Sequence, residues 1–252
     1  MTADEYLQGI LNREAVDTGP NSPVRKVQSQ LHPIIQEWAG VYLSNISPSG
    51  SFAKGTANRS GTDIDLFISL SQHTPETLKD IYNKLFDKMS ERGYNPKRQN
   101  VSINVPVIGY SVDLVPAKRQ DGYSQDHSLY RRKIDTWTKT NVSNHINYVS
   151  QSGCTQEIRV IKLWRNQKGL DFTSFYLELT VINALVGKGG TLSTNIWKVF
   201  HYLRDIFPTA RVIDPANTNN VISDDLTATE RARVKAAAQQ ALAATDWGEI
   251  VE

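Results

Sequence analysis

This chain is short of cysteine and methionine and has little net charge of either sign. Cys154 is the one cysteine among 252 residues, so an internal disulfide is impossible and the fold must rest on packing. No apolar stretch approaches the roughly 18 residues that a membrane-spanning helix requires. The opening residues, Met1 to Leu11, carry acids and no basic flank, unlike a secretory signal. A cytoplasmic protein with no membrane partner is expected. The net charge is +2, which argues against a wide surface wrapping a nucleic-acid duplex, although Arg131-Arg132-Lys133 could meet phosphates. Nucleic acid is therefore a partner the sequence allows but does not demand. His32, His73, His127, His145 and His201 show no metal-ligand spacing and read as surface or packing residues. There is no internal repeat and no low-complexity tract, though 236–244 is Ala-rich and helical.

A hydrophobic fraction of 39% with five Trp is that of a globular chain long enough for one large domain or two modest ones. Ser22-Pro23 caps a long helix with an apolar stripe at Val24, Val27, Leu31, Ile34, Trp38 and Val41, kinked at Pro33. Thr74-Pro75 caps a second helix, with Leu78, Ile81, Tyr82, Leu85, Phe86 and Met89 on one face and its end at Gly93. Residues 97–105 and 107–116 read as strands joined around Pro106. From about residue 140 the pattern turns helical, over 141–150, 156–168, 172–187, 194–207 and 227–245, the last opened by a capping box from Thr227 to Glu230.

The chemistry is concentrated in the run from Ser49 to Ile68. Asp63 and Asp65 flank Ile64 at the entry to a strand, and alternation points both acids to one face while Ile64, Leu66 and Ile68 point to the other. Converging carboxylates repel unless a cation sits between them, and hard oxygen ligands suit Mg²⁺ or Mn²⁺. Upstream, Gly50 and Ser51 form a tight turn whose backbone N–H groups and hydroxyl can approach phosphate oxygens, so a nucleoside triphosphate is the expected occupant. Asp113, embedded in the apolar run Val112-Asp113-Leu114-Val115, is the candidate third carboxylate. The plainer readings are a loop-strand junction for Asp63-Ile64-Asp65 and a salt bridge for Asp113.

From Gly50-Ser51 through Asp63 and Asp65 to Asp113, the spacing resembles the polymerase-β-like nucleotidyltransferase superfamily. The blocks from Glu157 to Gln167, Thr173 to Leu179 and Ile213 to Val221 resemble the helical half of its oligoadenylate synthetase branch, most nearly the bacterial CD-NTases, the cGAS/DncV-like enzymes. The resemblance runs from about Val24 to the end. It implies an α+β fold, with a mixed-sheet catalytic lobe and long N-terminal spine helix at 1–135 and a helical nucleotide-binding lobe at 136–252. It implies two Mg²⁺ or Mn²⁺ ions on Asp63, Asp65 and Asp113, with Gly50, Ser51, Lys162 and Ser174 on the triphosphate. Asn166, four residues after Lys162, stands where some family members that accept a pyrimidine nucleotide carry an Asn; Trp164 and Tyr176 read as core residues.

By that resemblance the enzyme joins NTPs, ATP among them with the second base open, into a cyclic or linear oligonucleotide second messenger. Pyrophosphate leaves, and a downstream effector in anti-phage defence binds the product rather than the protein. Two rivals remain. One is tRNA nucleotidyl addition of the archaeal CCA type, whose front half carries a similar block but adds domains for the tRNA stem where this sequence stops at Glu252. The other is an inactive nucleotide-binding module, against which the retention of all three acids speaks.

Overall fold

In the computed structural model every residue is described except Thr62. In chain order the helices and strands are α1 (Ala3–Arg13), α2 (Pro23–Ala39), β1 (Leu43–Pro48), α3 (Gly50–Lys54), β2 (Ile64–Leu70), α4 (Leu78–Glu91), β3 (Lys97–Arg98), β4 (Ile103–Val107), β5 (Tyr110–Arg119), β6 (His127–Arg131) and β7 (Thr136–Thr140). There follow α5 (Val142–Ser150), α6 (Thr155–Gln167), α7 (Ser174–Leu185), α8 (Leu192–Asp205), β8 (Ile213–Asp214), β9 (Asn217–Val221), α9 (Ala228–Ala243) and α10 (Trp247–Ile250). Two compact units result. One comprises Asp17–Ala53 and Thr62–Ile146; the other comprises Met1–Val16, Lys54–Gly61 and Asn147–Glu252. No helix is long and apolar enough to cross a membrane among the described residues.

The first unit is a mixed sheet in the order β1-β2-β5-β4-β3, with β6 beside the far end of β5 and β7 beyond it. Only the β2–β5 pair is parallel. α2 and α4 pack on the face of the sheet that holds Ile64, Leu66 and Ile68, which are 1%, 0% and 0% exposed. Each contributes about 1.5–3 kcal/mol of burial. The alternation read from the sequence therefore leaves Asp63, Asp65, Phe67 and Ser69 on the opposite face of β2.

Several boundaries differ from the sequence reading, each for a local reason. α2 runs unbroken through exposed Pro33 and buries Val24, Val27, Leu31 and Ile35 in place of Ile34. It stops at Gly40, whose φ of +57° suits glycine, so Val41 falls in a 3₁₀ turn and is exposed. α4 is capped by Thr77, whose hydroxyl accepts from the Asp80 N–H, while the Thr74 hydroxyl donates to the Ser71 carbonyl. Pro106 lies inside β4 opposite Ser111. The turn is instead Ile108-Gly109, both at positive φ (42° and 82°), the backbone of a two-residue hairpin.

The second unit is helical apart from the β8–β9 ribbon. Its core gathers Trp164, Phe172, Tyr176, Phe200 and Phe207, together with Leu7, Ile10 and Leu11 of α1. The sequence reading assigned no helix to Ala3–Arg13, yet the segment carries a capping box in which Thr2 and Glu5 satisfy each other's backbone N–H groups. The same device opens α9 at Thr227 and Glu230.

Candidate active site

β1 ends in a bend into α3 that is pinned to β2 at its base, where the Ser49 N–H donates to the Asp65 carbonyl at 2.8 Å. Gly50, at φ +55°, occupies a backbone region that side chains disfavour. A β-carbon there would overlap the Asp65 carboxylate. The turn and the acid are thus in direct contact, with Ser51 next along in α3.

The parallel register places Asp65 directly beside Asp113, and the antiparallel register places Asn104 of β4 on the other side of Asp113. Asp113 Oδ1 accepts from Asn104 Nδ2 at 2.8 Å and from Gln99 Nε2 at 3.0 Å. Asp113 makes no salt bridge among the described residues, so the arginine-paired alternative does not occur. Burial pushes its carboxyl above the usual range; the Asn104 bond opposes that shift and the negative charge of Asp63 adds to it. Asp63 itself is exposed at the strand entry. As placed, the carboxylates do not close into a cage of three ligands among the described residues. The donor set still fits a hard divalent cation: two carboxylates in register, a third whose charge is felt by Asp113, and two amides occupying only one of the Asp113 oxygens.

The residues expected on the triphosphate from the helical half lie in the second unit. Lys162 projects from α6 and is only 5% exposed. Its ammonium donates to Glu178 Oε1 at 2.5 Å and to Thr56 Oγ1 at 2.9 Å. Lys54 holds the other Glu178 oxygen at 2.8 Å and sits 4.3 Å from the centroid of the Phe175 ring. A buried cation must be paired, and here Lys162 is committed to a carboxylate of its own unit. Glu178 is held below the usual carboxylate range by these two ammonium groups in spite of its burial. Ser174 opens α7 and accepts from Arg165 Nη1 at 3.2 Å, while Asn166 Oδ1 accepts from Arg165 Nε at 2.9 Å. Arg165 thus touches both residues singled out near it. The sequence reading passed over it, though its place between Trp164 and Asn166 could have drawn notice. Trp164 and Tyr176 are core residues at 0% exposure, and burial pushes the Tyr176 hydroxyl up to about 12. Asp214 and Asn220 form a local turn in which Asp214 accepts from the Ala216 N–H and from the Asn220 amide.

Residues 36–150 match the nucleotidyltransferase domain family. The cyclic AMP-AMP-AMP synthase of Escherichia coli (strain MS 115-1) is 24% identical over an alignment of 180 residues that covers 64% of this chain and 56% of that protein. The chain thus spans little more than half the length of that curated relative. The structure of CdnC from E. coli MS115-1 with ATP is similar at a TM-score of 0.77 and 20% identity, covering 99% of this chain and 97% of that one. The CD-NTase CdnG of Bradyrhizobium diazoefficiens, in complex with GTP, is similar at a TM-score of 0.76 and 13% identity, covering 98% and 95%. The chain has the polymerase-β-like fold of the CD-NTases, and the part of it that carries Gly50, Asp63, Asp65 and Asp113 matches the nucleotidyltransferase domain.

Proposed function

We propose that this protein is a metal-dependent nucleotidyltransferase that joins nucleoside triphosphates, ATP among them, into a cyclic or linear oligonucleotide and releases pyrophosphate. The observation that carries this reading is the contact of Gly50 with Asp65 and the register that sets Asp65 beside Asp113. A glycine-containing turn and a pair of acids meet at one end of β2, as transfer of a nucleotidyl group requires. Names of the similar proteins, a cyclic AMP-AMP-AMP synthase and complexes with ATP and GTP, support purine triphosphates as substrates. The product acts as a second messenger in anti-phage defence, on an effector distinct from this chain, in the cytoplasm.

Asp63, Asp65 and Asp113 would hold two Mg²⁺ or Mn²⁺ ions, which supply charge neutralisation for the triphosphate and for the departing pyrophosphate. The chain's own residues do the positioning. Gly50 lets the backbone come against Asp65, and the Ser51 hydroxyl with the N–H groups of the bend binds phosphate oxygens. Asn104 and Gln99 fix Oδ1 of Asp113, so that Oδ2 is aimed and the carboxylate can accept the proton of an attacking ribose hydroxyl. Lys162 acts through Glu178 and Thr56 by fixing the 54–61 segment.

Incubation with all four NTPs and Mg²⁺ or Mn²⁺, followed by phosphatase treatment and mass spectrometry, tests the reading. A phosphatase-resistant oligonucleotide, absent with Asp63→Asn and Asp65→Asn, is the expected result. Label transferred to added tRNA instead would establish the tRNA-extending alternative. Metal-dependent NTP binding without product would establish an inactive module.

A further inference from the structure

The sheet face that bears the acids continues along β2 to Phe67 and Ser69 and along β5 to Arg119, where a cavity opens with a volume of about 330 Å³. Ser69 stands four residues beyond Asp65, about 13 Å along an extended strand. A bulge in β1 between Leu43 and Asn45 interrupts the alternation and brings Ser44 and Asn45 together onto the wall. No carboxylate lines the cavity.

Its cation is Arg119. The Nη2 donates to the Ser124 carbonyl at 2.8 Å, but Nε is buried without an acceptor among the described residues. Buried guanidinium N–H groups are rarely left so. Asp121 does not supply the missing acceptor, because its oxygens take the N–H groups of Tyr123 and Ser124 and the Ser124 hydroxyl. His127, 3% exposed, donates from Nδ1 to the Gln125 carbonyl and shares a hydrogen bond with the Ser69 hydroxyl at Nε2, and burial pushes its pKa below the ordinary imidazole value. The opening turn of α5, a nine-residue helix with no acid in its first turn, contributes Val142 and Ser143 and the positive end of its dipole. Phe67, Val142 and Ile146 make an apolar side.

We propose that this cavity is a second ligand site, separate from the acids, for a phosphate-bearing small molecule. Its phosphate is received by Arg119 and the first turn of α5, and any organic body packs on Phe67, Val142 and Ile146. The volume is about ten times the share of one water molecule, and a guanidinium N–H beside hydroxyls and a helix N-terminus is matched by phosphate oxygens. The site adds a ligand that the joining reaction does not consume.

Calorimetric titration with AMP and with inorganic phosphate, in EDTA so that no divalent ion ties either probe to the acids, decides the matter. One site per chain is expected, weakened about tenfold or more by Arg119→Gln, and equally by Ser143→Asp, while Asp65→Asn binds as wild type does. Ser143 is exposed at a helix start, where an acid is tolerated, so this variant carries the test if Arg119→Gln fails to fold. AMP binding more tightly than phosphate assigns the site to a phosphomonoester; equal affinity assigns it to free phosphate. Binding of neither probe at millimolar concentration, undiminished binding by both cavity variants, or loss in Asp65→Asn overturns the proposal.

Discussion

Asp65 occupies the space in which residue 50 would carry a side chain. Gly50 combines a positive φ with this overlap, so an added methyl group is strained by the backbone and displaces the carboxylate. Gly50→Ala should fold with a loss of about 1–3 kcal/mol and release pyrophosphate at least about 100-fold more slowly. Thermal melting and a coupled pyrophosphate assay measure the two effects, and a variant with wild-type turnover would refute the role given to the turn.

Asn104 spans the sheet to Asp113 and also donates to Ser111. In Asn104→Leu only the Gln99 amide and the Ser102 hydroxyl are left to hold the carboxylate, and the acid should wander. A fall of about 10–100-fold in kcat is expected, as for loss of a residue that orients a metal ligand, together with a higher Mg²⁺ concentration for half-maximal rate. An unchanged metal requirement would reduce Asn104 to a structural residue.

What the sequence disclosed tracks what is periodic. Asp63 and Asp65 were legible because Ile64, Leu66 and Ile68 alternate with them, and the helices at Thr155–Gln167, Ser174–Leu185, Leu192–Asp205 and Ala228–Ala243 because their apolar residues recur at helical spacing. The partners of Asp113 were not legible. Gln99 and Asn104 are ordinary polar residues: Asn104 takes its meaning from the β4–β5 register, which the turn at Ile108-Gly109 sets, and Gln99 from the turn that joins β3 to β4. Lys162 was read from its place in a motif, and nothing in its immediate neighbours announced that Glu178 and Thr56 would enclose it. The strands β6 and β7 passed unread because Arg132, Lys133 and the exposed Trp137 obscure the alternation.

Glu178 lies between two ammonium groups, and its removal leaves both buried without a counter-charge. Glu178→Gln should cost about 3–5 kcal/mol in urea unfolding. Because the folded protein binds a proton at Glu178 less tightly than the unfolded chain does, its stabilisation is complete above the ordinary value of 4.5 and is lost as pH falls through the lower folded value. The stability of the wild type should therefore fall more steeply on the acid side of 4.5 than that of Glu178→Gln. Parallel curves would remove the charge from the explanation.

Leu11 is 1% exposed among the aromatic residues of the helical core. Arg159 secures the same segment by donating to the carbonyls of Leu11 and Glu14 at 2.9 and 3.0 Å. Leu11→Ala should lose about 2–5 kcal/mol, measured by urea unfolding, against a loss within about 0.5 kcal/mol for a change at exposed Gln8. A small loss at Leu11 would mean that α1 is dispensable.

The helical unit is threaded from three separated stretches of chain, Met1–Val16, Lys54–Gly61 and Asn147–Glu252. A single cut cannot free it. Severing at residue 146 would strip Glu178 of Lys54 and Thr56 and deprive the aromatic core of Leu7, Ile10 and Leu11. Neither unit is therefore a single continuous stretch of sequence that could be excised with one cut at each end.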